Sequence, residues 1–307
     1  MPTITRSMPT TPRGWLLTLA TLLAAEAIVF TIGVYTYLAV SFALMAKHRA
    51  IGAREIARAL AREAFWVFLT QPLLPYFYVL GRRMGGRDGG VPVVMVHGYM
   101  QNRVDFLRIA RALRNAGSGP LFGFNYLWAR SVPGSARRLA TFVEEVCRET
   151  GAARVDLIGH SLGGVVSIEY LAHGGAERVR RCVTIASPHA GVLWRGPVIG
   201  KSGRDLRHDS DFFRTRKRTR FEIPCLSIAS THDNVVHPPA TSSIAPRGGV
   251  DLLVDHYGHL STLFAPAVVD AVVEFCLARE GAEAPVIGLV VDNVATISSP
   301  PSASAVT

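Results

Sequence analysis

Two spacings of apolar positions take turns along most of this chain. Between 91 and 280, short apolar runs closed by turn residues alternate with stretches whose apolar positions recur every three or four residues. The first kind reads as buried strands and the second as helices with one buried stripe. Strands are predicted at 91–96, 120–126, 154–159, 179–186, 223–229 and 250–254, and helices at 103–115, 135–150, 162–173 and 266–279. Alternation of this kind implies an α/β fold, a mostly parallel sheet with helices on both faces.

The pattern before residue 91 is different. From Ala27 to Ala46 there is no charged residue, and the uncharged run reaches back to Gly14 apart from Glu26. About twenty apolar residues cross a bilayer as a helix, and a cleaved signal has a much shorter apolar core. An N-terminal transmembrane helix spanning about 15–46 is therefore expected, within a membrane region 1–63 that ends in a basic juxtamembrane segment. The next apolar stretch, 64–80, is uncharged but broken by Pro72 and Pro75. Its Trp and Tyr residues suit the headgroup level, so it is expected to be interfacial, with a Gly/Arg linker to residue 90. The globular domain is expected at 91–280, with a small cap at about 187–222. The tail 281–307 is expected to be partly disordered, with 286–291 a candidate extra strand. Lys47, Arg49, Arg54, Arg58 and Arg62 outnumber Arg6 and Arg13 across the anchor, which puts 47–63 in the cytoplasm. The domain then lies on that side if 64–80 does not cross, and on the other if it does.

Charge sharpens the membrane reading. Of the net +10, residues 1–87 supply +7 (ten Lys/Arg against three acids) and residues 195–220 supply +6 (nine against three), leaving the rest at −3. Two local basic regions invite an anionic lipid surface. Nucleic acid is excluded as a partner, because no aromatic-interleaved basic motif or zinc-type spacing is present. The four cysteines are scattered among apolar neighbours without a CxxC pair, so they read as small core residues and no metal site is expected.

The candidate chemistry sits at strand ends. L-I-G-H-S-L-G-G (157–164) places Ser161 where a strand stops and a helix starts, with Gly159, His160 and Gly163 around it. Glycines there let the chain turn sharply enough to hold a serine hydroxyl above the sheet. A serine needs a base, and the base needs an orienter. Asp233 follows the strand at 223–229, and His259 follows the strand at 250–254. Serine, aspartate and histidine thus lie in that order, each past a separate strand, where an open α/β sheet binds ligands. His97-Gly98-Tyr99-Met100 follows the first strand, so the N–H groups of Tyr99 (or Met100) and Leu162 are candidate oxyanion donors.

Taken together, these motifs resemble the α/β-hydrolase fold over about residues 90–280. V-V-M-V-H-G and L-I-G-H-S-L-G-G are shared by the whole superfamily. T-I-A-S-P-H-A-G (184–191) and D-L-R-H-D-S-D-F-F (205–213) are similar to segments of bacterial triacylglycerol lipases and esterases. The resemblance implies hydrolysis of an acyl ester through an acyl-enzyme, on a hydrophobic or lipid substrate and without a cofactor. The anchor and the basic run 214–220 depart from a soluble secreted lipase.

Rivals remain for each role. His256 competes with His259 as base, and Asp251 and Asp255 compete with Asp233, though both lie too close to the histidine they would orient. His97, His160 and His189 are expected to pack or support, and His232 and His237 to be solvated. Acyl transfer or thioester cleavage by the same triad, and a catalytically silent membrane scaffold, are the alternatives to ester hydrolysis.

Overall fold

The computed structural model describes residues 31, 33–46, 51–194, 197–216 and 219–279, in two compact units divided after Arg49. In the first unit, 33–46 is helical. Among the described residues no helix is long and apolar enough to cross a membrane. Residues 15–30 of the expected anchor, and the tail with the candidate strand 286–291, lie outside the described residues.

The second unit is built on six strands: β1 (Val93–Val96), β2 (Leu121–Phe124), β3 (Val155–His160), β4 (Val179–Ile185), β5 (Cys225–Ser230) and β6 (Val250–Val254). They form one sheet in the order β2-β1-β3-β4-β5-β6, every pairing parallel. β1 to β4 are almost wholly buried, which is why they read as unbroken apolar runs rather than as alternation. The chain leaves β1 toward β2 and returns to β3 on the other side of β1. A crevice therefore opens beyond the carboxyl ends of β1 and β3.

Helices cover the sheet. α3 (Val132–Thr150) packs on α4 (Leu162–Leu171), and both share a buried cluster with Val94, Val96, Leu157 and Cys182. α2 (Leu107–Asn115) packs on α7 (Pro266–Leu277), with Ile109, Leu113, Val268 and Val272 buried outside that cluster. α3 starts cleanly because Ser131 accepts the Gly134 N–H and Asp205 accepts the Val132 N–H. It stops at Gly151, which turns left-handed at φ 72°.

One stretch differs from the sequence expectation. The juxtamembrane segment and the apolar segment, expected to meet at 63/64, are joined in a single helix, α1 (Ala53–Thr70). Its buried positions Ala59, Glu63, Val67 and Thr70 fall on one face, while Arg54, Arg58 and Arg62 are exposed. Helical periodicity runs straight through the change in charge. Short helical turns follow at Gln71–Leu73 and Leu74–Phe77, with Pro72 and Pro75 inside their first turns, where the missing N–H costs nothing.

The cap is small. Among the described residues between β4 and β5, its helices are α5 (Gly200–Asp205) and α6 (Asp211–Thr215). Asp205 and Ser210 of the lipase-like segment serve as caps here, Asp205 on α3 and Ser210 on α6.

Candidate active site

Ser161 sits between the end of β3 and the start of α4 with φ 52° and ψ −122°, a strained conformation for a residue with a side chain. The surrounding glycines make it attainable. A Cβ on Gly163 would stand 2.0 Å from the Val96 carbonyl oxygen, and one on Gly159 would stand 2.6 Å from the backbone of Gly164. The turn can therefore close against β1 and onto the start of α4 only because both positions lack a side chain. The Ser161 N–H donates to the Ile185 carbonyl at 2.9 Å, which ties the turn to β4.

Asp233 and His259 arrive from β5 and β6. His259 Nε2 lies 2.9 Å from Ser161 Oγ, and its Nδ1 lies 2.9 Å and 3.1 Å from the two Asp233 oxygens. Asp233 Oδ1 also accepts the N–H groups of Val235 and Val236, both at 2.8 Å. Three donors thus converge on one carboxylate. With Nδ1–H donating to that carboxylate, Nε2 carries the lone pair and accepts the Ser161 hydroxyl proton. Burial pulls the imidazole pKa down, but the charge and hydrogen bond of Asp233, helped by Glu63, leave it above its ordinary value.

The rivals are occupied elsewhere. His256 packs its ring on His232, 4.8 Å between centroids. Asp251 accepts from Ser243 and Ile244. Asp255 accepts the Thr231 hydroxyl.

The loop after β1 lies against Ser161: a Cβ on Gly98 would stand 3.1 Å from Ser161 Cβ. Leu162, the other expected oxyanion donor, is the first residue of α4. The Tyr99 hydroxyl donates to the Ile199 carbonyl at 2.6 Å and accepts the Ile199 N–H at 2.8 Å, linking this loop to the cap. Met100 takes φ 56° and is 41% exposed. Among the described residues no group of three His, Cys, Asp or Glu side chains is placed to hold a metal.

His97, His189 and His160 are each engaged elsewhere. His97 is buried against Tyr126, and burial holds its pKa down to about 4. His189 meets Thr184 Oγ1 at 2.9 Å. His160 reaches the His259 carbonyl, with Nε2 to oxygen at 3.2 Å. Burial, with the His259 charge adding, keeps it well below the usual histidine range and hence neutral. His232, expected to be solvated, is buried; His237 is only partly so.

Sequence reasoning missed the supports of the His259 loop. Asn234 Oδ1 accepts the His259 N–H at 3.0 Å. Glu63 accepts the N–H groups of Leu260 and Ser261, one on each carboxylate oxygen, both at 2.7 Å. The available signal for Glu63 was an acid on the buried stripe of α1, four residues from Ala59 and four from Val67.

The comparisons bear on this geometry directly. Residues 91–204 match the family model of the alpha/beta hydrolase fold. The fold is that of the α/β-hydrolases. A triacylglycerol lipase of Burkholderia plantarii is 29% identical over 153 residues, 44% of this chain and 42% of that protein. A triacylglycerol lipase of Pseudarthrobacter phenanthrenivorans is 32% identical over 108 residues, 33% of this chain and 34% of that protein. The matches thus span less than half the length of either curated relative. Among solved structures, Aspergillus fumigatus lipase B superposes with a TM-score of 0.55 at 17% identity, covering 62% of this chain and 53% of that one. Within the α/β-hydrolase fold, Ser161, Asp233 and His259 occupy the three strand ends that converge on the crevice.

Proposed function

We propose that the protein is a serine ester hydrolase of lipase or esterase type, acting on a hydrophobic acyl ester. The observation that carries this reading is the unbroken hydrogen-bonded chain from Asp233 through His259 to Ser161, with both links at 2.9 Å. Ser161 Oγ attacks the ester carbonyl carbon as its proton passes to His259 Nε2. The resulting oxyanion is held by the N–H groups of Leu162 and Tyr99. The intermediate collapses to the acyl-enzyme as His259 gives its proton to the departing alkoxide. Water, deprotonated by His259, then attacks the acyl carbon, and the second intermediate releases the acid as His259 returns the proton to the departing Ser161 Oγ. Asp233 stays ionised throughout, holding the imidazole tautomer and balancing its cation.

The same reading includes a membrane-bound enzyme. Its supports are the uncharged run Ala27–Ala46 and a set of exposed large apolar residues further along the chain. Phe65, Phe68, Leu69, Tyr76, Tyr78 and Val79 are exposed, Val79 at 82%. Beside them a groove of about 440 Å³ has apolar Phe77, Leu80, Met84 and Leu107 in its lining and Arg83, Arg111 and Arg114 as its cationic groups. Apolar groups beside arginines suit anionic headgroups over acyl chains. The span proposed is the N-terminal one over about 15–46, with residues 64–80 proposed as interfacial.

Hydrolysis is tested on the full chain in membranes with p-nitrophenyl esters of increasing acyl length. Turnover that rises with chain length and disappears in Ser161→Ala supports the reading. Turnover retained in Ser161→Ala sinks it, and acyl transfer to an added alcohol in preference to water would make it an acyltransferase. An environment-sensitive fluorophore at position 79 checks the membrane contact. Quenching by lipid-borne quenchers is expected there and not at position 148.

A further inference from the structure

The backbone that carries His259 is held from several sides. Its N–H goes to Asn234, its carbonyl receives His160, and the next two N–H groups both go to Glu63. Glu63 is the member of this set that comes from outside the segment matching the hydrolase family, 91–204, and outside the strand-end loops. It reaches the loop from the middle of α1, across 197 residues of sequence. It is almost wholly buried, at 2% exposure, and the loop is shaped around it. A Cβ on Gly258 would stand 2.6 Å from Glu63 Oε2. Charged side chains are almost never buried so completely without a partner or a task.

A second buried acid shows where the negative charge resides. Asp105, fully buried, has no hydrogen-bond partner on either carboxylate oxygen, and its nearest basic atom, His160 Nδ1, is 4.0 Å away. Both Glu63 oxygens, by contrast, accept charge-assisted N–H bonds at 2.7 Å. The geometry suits an ionised Glu63 and a protonated Asp105. Burial pushes both carboxyl groups up, Asp105 further, with the charge of Glu63 adding to its shift.

We propose that Glu63 is a positioning residue for the proton shuttle: its carboxylate, seated on the Leu260 and Ser261 N–H groups, fixes the loop that presents His259 and sets a negative charge beside the imidazole. The proposal rests on the reading of Ser161, His259 and Asp233 as a hydrolytic triad. It adds that the helix preceding the hydrolase core completes the site. Ground-state binding does not involve this contact, so its loss acts on turnover rather than on substrate affinity.

The charged and titratable groups facing His259 are Asp233 from the β5 loop, His160 from β3 and Glu63 from α1. Asp105 faces His160 Nδ1 at 4.0 Å and feels the charge of Glu63, and His97 acts on His160. Glu63 and Asp233 both favour the imidazolium. Removing the Glu63 charge moves the protonation of His259, and with it the acid limb of kcat/KM, to lower pH.

The test compares the full-length protein with Glu63→Gln, which keeps the volume, and Glu63→Asp, which keeps the charge but loses reach. Two readouts are taken: ester turnover against pH, and the titration of His259 by NMR with labelled histidine. Expected for Glu63→Gln are a kcat lower by about ten- to a hundredfold, KM within twofold, and an acid limb at lower pH. Glu63→Asp is expected to lose kcat while keeping the wild-type acid limb. A Glu63→Gln protein with wild-type kcat and an unmoved His259 titration overturns the proposal. If the wild type cleaves no ester but the titration still moves in Glu63→Gln, the triad reading fails while the hold of Glu63 on His259 stands. If the wild type cleaves esters and Glu63→Gln matches it in both readouts, the triad stands and the Glu63 proposal fails.

Discussion

His160 Nε2 stands 3.2 Å from the carbonyl oxygen of His259, so the residue just before Ser161 also supports the His259 backbone. The neutral His160 ring donates through Nε2, and its Nδ1 faces Asp105 Oδ2 at 4.0 Å. His160→Ala removes that donor and leaves the His259 carbonyl without it. Steady-state kinetics are expected to show kcat lower by about tenfold with KM little changed, the cost of about one buried hydrogen bond. A rise in KM alone would mean that His160 instead contacts substrate.

The pH profile follows from the same network. The His259 pKa is raised above its ordinary value, so the imidazole becomes protonated, and loses its basicity, at a higher pH than a free histidine would. The acid limb of kcat/KM is therefore expected above the usual histidine midpoint of about 6.5. Asp233→Asn removes the main stabiliser of the imidazolium and should move that limb downward while cutting kcat, by about 10⁴-fold on the precedent of other triads. An acid limb at or below the ordinary midpoint in the wild type contradicts the assignment.

The nucleophile turn makes a stability prediction. The Cβ of Gly163→Ala would be 2.0 Å from the Val96 carbonyl oxygen, and neither backbone can yield without disturbing the β1–β3 pairing. A loss of about 3 kcal/mol or more is expected, read as a lower denaturation midpoint or as insoluble protein. Wild-type stability in Gly163→Ala would mean that the turn packs less tightly than described.

Much of this was legible in the chain because each triad member follows its own strand. Parallel strands run as unbroken apolar segments, so their carboxyl ends can be read from sequence, and Ser161, Asp233 and His259 all fall just past one. The supports were not legible for the opposite reason. Glu63 is separated from Leu260 by 197 residues, and nothing local to either position announces the contact. Reading residues 47–80 by charge alone also divided α1 at 63/64. The stripe Ala59, Glu63, Val67 and Thr70 shows one helix instead, the acid being the member that made the stripe hard to see. Asp105 was invisible as well, since an acid in the turn at 103–106 reads as solvated until the packing buries it.

Asp105 makes the stability of the fold depend on pH in a specific direction. Its folded pKa lies well above the unfolded one, so the folded state retains a proton that the unfolded state releases. Stability from this group is fully present below the unfolded pKa and declines as the pH rises toward the folded value, by about 1.4 kcal/mol per pH unit at most. Asp105→Asn has no proton to lose. The Tm of Asp105→Asn relative to wild type is therefore expected to improve as the pH rises above the ordinary carboxyl range. A difference that stays flat as the pH rises would mean that Asp105 is not held protonated.

The most direct test of the central claim is covalent labelling with a fluorophosphonate, which reacts with activated serine hydroxyls. Full-length protein in membranes is treated with the probe and the adduct is located by peptide mass spectrometry, beside Ser161→Ala and His259→Ala. A single adduct on Ser161, absent from both variants, is the predicted result. Labelling of another serine, or of Ser161 at an undiminished rate in His259→Ala, would contradict the account.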